Sequence, residues 1–374
     1  MRTRLQSILV LALTTSCAAS QLTPTPATTA PPEVSYDTLV RTARSYVENG
    51  KAERAAELCA KAAAMSPDRP DAYVTWGLAL AQLKQLDQSA AKYEAALARG
   101  GKDREVFVEL ASVYDVSRRY EEAVRVYRHY LSIAPDDVEM RQELGLTLVG
   151  LERTDEAVLE LRACAAKAPG DLQVMQDLGY ALLHAKEAGE AATILAEVVA
   201  KDANRPEAMQ MLARARATEG KAAEALAVLD RLLKAWPDDR RGRRIRARLR
   251  LLTDNPAGAT EDYRLLISAN PDDSSLLLGA AGAFIALGRL EEADQTLDHV
   301  RQSLGSHPLL EFREAQIAWR RGKTQALISM AQFARDNPND LEAWREVAAG
   351  AKKAKDKKLQ AEAAEKLKSL GDLL

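Results

Sequence analysis

Residues 104–137 read REVFVELASVYDVSRRYEEAVRVYRHYLSIAPDD, and their spacing decides the fold. Phe107, Leu110, Ala111 and Tyr114 recur at helical intervals and form one apolar stripe. Ser117, Arg118 and Arg119 make a polar turn, after which Tyr120, Ala123, Tyr127 and Tyr130 resume the stripe on a second helix. That helix stops before Pro135, whose missing amide hydrogen forbids continuation. The stretch is a helical hairpin.

The hairpin returns along the chain. Steps of 34 residues from Ala43 land on Gly77, Ala111, Gly145, Gly179, Ala213, Ala247, Ala281 and Ala315. A second ladder reads Ala55, Ser89, Ala123, Ala157, Ala191, Ala225, Ala259 and Ala293, and slips by one at Ala326. Pro67, Pro169, Pro237 and Pro271 keep step with Pro135. Two small-residue ladders sharing one period mark a repeat array. One such unit is too short to bury its own apolar face, so stability is roughly a sum of contacts between neighbours. Small residues are required where helices cross at about 8–10 Å. Acidic residues after the stops, at Asp68, Asp136, Asp238 and Asp272, are expected to cap the next helix.

This pattern resembles the tetratricopeptide repeat, whose first helix carries a Leu-Gly or Leu-Ala pair, here Leu110-Ala111, Leu144-Gly145, Leu178-Gly179 and Leu212-Ala213. The resemblance covers residues 36–340 and implies an all-α fold: a right-handed α-solenoid of about nine hairpins, with residues 341–374 as a capping helix pair. It further implies that the first helix of each hairpin lines a concave channel. Residues one helical step from the small ladder are expected to face it. Asp71, Glu105, Asp115, Glu139, Gln142 and Asp177 then make one end acidic, and Arg214, Arg241, Arg244, Arg248, Arg313 and Arg320 make the other basic. Leu146, Tyr180, Ile285, Phe312 and Trp319 are expected as apolar anchors between them. The lysine and asparagine clamp of chaperone-tail-binding relatives is absent, so a free peptide carboxylate is not the expected ligand. A segment of mixed charge is.

Unit seven departs from the pattern. Arg243, Arg246 and Arg250 stand where other units place large apolar residues, and their heads are expected to reach water along the edge of a rotated stripe of Ile245, Leu249 and Leu252.

At the N-terminus, Arg2 and Arg4 precede an apolar run from Ile8 to Leu13 and the tetrad Thr14-Thr15-Ser16-Cys17. This is the layout of an export signal over residues 1–16, too short to span a bilayer. The tetrad resembles the lipobox of bacterial lipoproteins, which implies lipidation of Cys17; Ala18 implies sorting to the outer membrane, facing the periplasm. Residues 17–35, rich in Thr and Pro, read as a tether. The alternative is ordinary secretion, with cleavage near Ala19 or Ser20 and a soluble product.

The 374 residues carry a net charge of only −2, which gives no global preference for nucleic acid or anionic membrane. Cys59 and Cys164 lie three units apart, too far to bridge, and read as small core residues. No pair of the four histidines has metal-ligand spacing, and no metal or cofactor is expected; His184 is expected to project inward. Gly322-Lys323-Thr324 imitates the end of a phosphate loop, but Ile317 stands where that loop needs its first Gly. No catalytic constellation stands out. The expected function is therefore a non-enzymatic scaffold that binds protein partners in the cell envelope, resembling lipoproteins that guide pilus secretins. Scaffolding in exopolysaccharide export, with an anionic polysaccharide as ligand, or of cell-wall hydrolases is the alternative.

Overall fold

The structure, a computed structural model, describes residues 35–370. Cys17, where lipidation is expected, the signal segment and nearly all of the tether lie outside those residues. Nine consecutive hairpins are followed by a closing pair, and no strand occurs among the described residues. The first five hairpins are α1 (Tyr36–Glu48) with α2 (Ala52–Met65), α3 (Asp71–Gln82) with α4 (Leu86–Ala98), α5 (Arg104–Val116) with α6 (Tyr120–Ile133), α7 (Val138–Gly150) with α8 (Thr154–Lys167), and α9 (Leu172–His184) with α10 (Ala188–Lys201). The next four are α11 (Pro206–Thr218) with α12 (Ala222–Ala235), α13 (Arg240–Leu252) with α14 (Pro256–Ala269), α15 (Ser274–Ala286) with α16 (Leu290–Leu304), and α17 (Pro308–Arg320) with α18 (Ala326–Asp336). The closing pair is α19 (Leu341–Ala354) with α20 (Lys357–Ser369). Odd-numbered helices also pack on one another, which places them on the inner, more crowded side of the solenoid. No described helix is long and apolar enough to cross a membrane.

Four columns of residues, each repeating every 34 positions, build the hairpin. Every rung of the first small ladder is buried, from Ala43 to Ala315. Opposite it runs a large column, Cys59, Tyr93, Tyr127, Leu161, Leu195, Leu229, Tyr263 and Leu297, also buried. The two meet closely: a Cβ added at Gly145 would lie 2.6 Å from Leu161 Cγ, and one at Gly179 would lie 2.7 Å from Leu195 Cγ. Between the ladders, Ser89 Oγ donates to the Gly77 carbonyl at 2.7 Å. The second small ladder is equally buried as far as Ala293. In the ninth hairpin a longer turn delays α18, Ala326 is only half-buried, and the 34-residue step to Leu327 reaches the buried site, so the apparent slip is not a change of spatial register.

The fourth column was not anticipated. Gly50, Lys84, Arg118, Glu152, Lys186, Gly220, Asp254, Gly288 and Gly322 all have φ between 57° and 87°, and each turns the chain from the first helix of a hairpin into the second. This left-handed conformation closes the first helix with backbone bonds back to its last carbonyls, such as Arg119 N to Tyr114 O at 2.8 Å. Gly322 of the phosphate-loop lookalike is thereby a turn residue.

Capping differs by one residue from expectation. Asp137, Asp171, Asp239 and Asp273 accept the free amides of α7, α9, α13 and α15. Asp136, Asp238 and Asp272 stand one place too early, because only the residue adjoining the helix, in extended conformation, aims its carboxylate at the second and third amides. Asp136 instead meets the Lys167 ammonium. Asp68 caps nothing either: Pro70 occupies the cap position of α3.

Unit seven corrects a second expectation. The heads of Arg243, Arg246 and Arg250 do not lie in water but converge on Asp262 of α14, which is 1% exposed. Arg246 grips it with two bonds of 3.0 and 2.6 Å, and Arg250 adds one of 2.9 Å. Arg246 stands in the column of Leu110, Leu144, Leu178 and Leu212, so an ionic cluster replaces apolar packing here. The apolar cluster that starts at Tyr36 ends with Leu249, and three separate clusters follow toward the C-terminus or overlap unit seven.

Two stability predictions follow from these contacts. Gly145→Ala lowers the melting temperature although alanine is the better helix former, because overpacking against Leu161 costs about 1–3 kcal/mol. Gly150→Ala, where an added Cβ meets nothing within 4 Å, raises it. Asp262→Ala destabilises by about 3–5 kcal/mol in denaturant titration, because it strands partly buried guanidinium groups. Replacing Arg243, Arg246, Arg250 and Asp262 together by Met, Leu, Leu and Val, the residues of apolar units, restores stability to at least the wild-type level.

Candidate partner-binding channel

The inner helices α5, α7, α9, α11, α13, α15 and α17 enclose a channel of about 2010 Å³. Its floor comes from the side chains that leave each helix beside the small ladder.

The α5 to α11 end is acidic. Asp115, Glu143, Asp177 and Glu207 line it, together with Gln142. Gln142 and Gln173 donate to the two oxygens of Asp177, at 2.5 and 3.0 Å, and hold that carboxylate in place. Asp115 is less well served: Tyr127 donates to one oxygen at 3.2 Å, and the other is buried without a partner. Burial pushes its carboxyl up to about 6, against the opposing effect of the Tyr127 hydrogen bond. Glu139, Glu105 and Asp71 do not line the channel. Glu139 and Glu105 pair with Arg104 and Arg44 of other units, so their charge is used in joining units, and Asp71 pairs with Arg69 two residues before it.

Toward unit seven the wall turns basic. Arg214 on α11 and Arg241, Arg244 and Arg248 on α13 line the channel, are exposed, and form no ion pair among the described residues. The arginines of α13 thus divide by face: one set grips Asp262 in the core and the other is presented to the channel. Arg313 also reaches the channel but is buried, bonded to Gln316 at 2.8 Å and to both oxygens of Glu342 on α19. Burial works to raise the Glu342 carboxyl, yet Arg313 prevails and holds it below the usual carboxylate range. Gly282 makes the room; a Cβ there would lie 2.7 Å from the Arg313 guanidinium. Arg320 lies outside the channel and pairs with Glu346.

Of the expected anchors, Tyr180 and Leu146 line the channel, and Tyr180 meets the His184 ring at 4.6 Å. Trp319, Phe312 and Ile285 are core residues instead. Trp319 is 8% exposed and Phe312 stacks on Phe333, because α18 and α19 cover that face of α17. Met211 and Ile245 were missed as lining residues. So was the link between α18 and α19: Asp336, Asp340 and Glu342 line the same cavity as the arginines of α13. Arg345 Nη1 donates to the Leu252 carbonyl at 2.9 Å, across 93 residues of sequence. Periodicity carries no signal for such a closure, since it depends on the accumulated angle between units.

Cys59 and Cys164 are buried free thiols, pushed up by burial to about 12 and about 11. Among the described residues no cluster of His, Cys, Asp and Glu could hold a metal ion.

Two family models, both described as tetratricopeptide repeat, match the chain, one over residues 182–249 and the other over 40–99, 74–138 and 143–206. The matched stretches cover more than half of the sequence, and the chain belongs to the tetratricopeptide repeat family, whose members are generally non-catalytic scaffolds for protein interactions. No curated protein matches it. Among solved structures, a tetratricopeptide repeat protein from Parabacteroides merdae is 17% identical, with a TM-score of 0.50 over 67% of this chain and 98% of that one. The C-terminal part of a repeat-containing protein from Cytophaga hutchinsonii is 16% identical, with a TM-score of 0.52 over 64% of this chain and 98% of its own. PilW, described as a widely conserved type IV pilus biogenesis factor, is 18% identical, with a TM-score of 0.52 over 55% of this chain and 96% of its own. At these identities the likeness is one of fold.

The Asp115 carboxyl gives a pH prediction. Its folded value, about 6, exceeds the ordinary 3.8, so the folded state holds a proton that the unfolded chain has lost. Its destabilising effect is absent below about pH 4, grows between about pH 4 and 6, and is complete above. Asp115→Asn therefore raises the melting temperature at pH 7, and the gain over wild type disappears near pH 4.

Proposed function

We propose that this protein is a non-enzymatic scaffold of the bacterial cell envelope, anchored by lipid at Cys17 to the outer membrane and facing the periplasm, whose channel holds a polypeptide segment of a partner while an envelope complex is assembled or localised. The observation that carries this reading is the channel itself, a concave surface where Arg214, Arg241, Arg244 and Arg248 are exposed and form no ion pair among the described residues. Unsatisfied charges on the inner wall of a repeat array suit recognition, since ion pairs between units already serve the fold elsewhere. The compartment rests on the sequence: a short charged and apolar leader ending in Thr14-Thr15-Ser16-Cys17, then a Pro-rich stretch able to hold the array away from its anchor. Acyl chains contribute about 0.8 kcal/mol per buried methylene, which makes a multiply acylated Cys17 a durable attachment. PilW offers a precedent for this fold in pilus biogenesis.

Two measurements test the reading. Cys17→Ser moves the protein from the membrane to the soluble fraction and abolishes incorporation of labelled palmitate; persistence of the variant in membranes would sink the anchor. Affinity capture from envelope extracts with wild-type bait recovers partners that bait carrying Arg244→Glu and Arg248→Glu does not. Identical recovery by both baits would remove the basic wall from recognition.

A further inference from the structure

The basic half of the channel faces part of its own chain. On one side stand Arg241, Arg244 and Arg248; on the other, within the same cavity, lies the link from Asp336 to Glu342, with acids at both ends and at Asp340. Tyr263, Arg313 and Glu342 line the same cavity as Arg244 and Arg248. The link is held there by polar means. Arg345 donates to the last carbonyl of α13, while the apolar cluster of α17 to α20 includes no residue of α13. A closure of this kind exchanges readily for other polar contacts, because separating it exposes little apolar surface.

We propose that the basic half of the channel takes a carboxylate-rich polypeptide segment, and that the 336–342 link, which faces the arginines of α13 across the same cavity without forming an ion pair with them, is its intramolecular competitor, offsetting their charge until such a segment displaces it. The inference rests on the channel being the partner site. A polypeptide is favoured over a uniformly anionic polymer because the acids at Asp115, Asp177 and Glu207 would repel such a polymer along the other half, whereas a polypeptide can change charge along its length. Half-buried Leu146, Tyr180, Met211 and Ile245 add apolar contacts that a side chain can use and a sugar acid cannot.

Fluorescence anisotropy with a labelled glutamate-rich 15-residue peptide, its lysine-rich counterpart and labelled polygalacturonate tests the proposal. Wild type binds the glutamate peptide, and Arg244→Glu with Arg248→Glu weakens it on the order of tenfold or more without weakening the lysine peptide. Arg345→Ala, which frees the link, tightens the glutamate peptide about fivefold. Asp336→Asn, which removes link charge and leaves the α19 cap at Asp340 intact, acts in the same direction. Melting curves confirm that each variant is folded. Unchanged affinity in both link variants overturns the competition, even where partner capture still depends on Arg244 and Arg248. Loss of peptide binding with partner capture unchanged overturns the channel as the partner site. Tighter, Arg244-dependent binding of polygalacturonate than of the glutamate peptide overturns the polypeptide assignment.

Discussion

Everything in this solenoid depends on how closely the two helices of a hairpin approach. At Gly77, Gly145 and Gly179 the backbone of the first helix lies directly beneath Tyr93, Leu161 and Leu195 of the second, with no room for a methyl group. That distance sets the tilt of each hairpin on the next. The tilt, repeated through the units, gathers the odd-numbered helices on the inside, and their outward side chains become the channel wall. The channel is therefore a product of small residues that never touch it.

Against this uniform scheme, unit seven exchanges one kind of cohesion for another. Asp262 collects three guanidinium groups in the space that leucine and methionine fill elsewhere. Ionic cores are rarely more stable than the apolar packing they replace, since desolvation offsets much of the attraction. What the exchange provides is a helix with arginine on two faces, one satisfied internally and one available. Core ion pairing and an exposed basic face are thus written into a single segment, Arg240–Leu252.

Much of the fold was legible from periodicity because the hairpin's constraints are local: a small rung, a large opposing residue and a stop recur at one interval. The left-handed turn column was half visible, since glycine fills only Gly50, Gly220, Gly288 and Gly322, while lysine, arginine, glutamate and aspartate tolerate the conformation elsewhere. Helix phase placed Asp115, Asp177, Arg214, Arg244 and Arg248 on the inner wall but misplaced Trp319, because phase says which way a side chain points and not which neighbour covers it. Glu139 failed for a related reason, as Arg104 from the preceding unit claims its carboxylate. The fate of Arg246 was hidden as well: its counter-charge sits 16 residues away on another helix, at a position where the pattern allows almost any residue.

Breaks between apolar clusters around unit seven have a mechanical meaning. A stack whose joints are all greasy bends evenly, like a spring; a stack interrupted by an ionic cluster does not. That interruption lies directly under the arginines of the inner wall, so any change in it would alter the width of the opening and the spacing of its positive charges in a single motion. Ambient salt would screen the exposed arginines of that wall far more than the buried pairs beneath them.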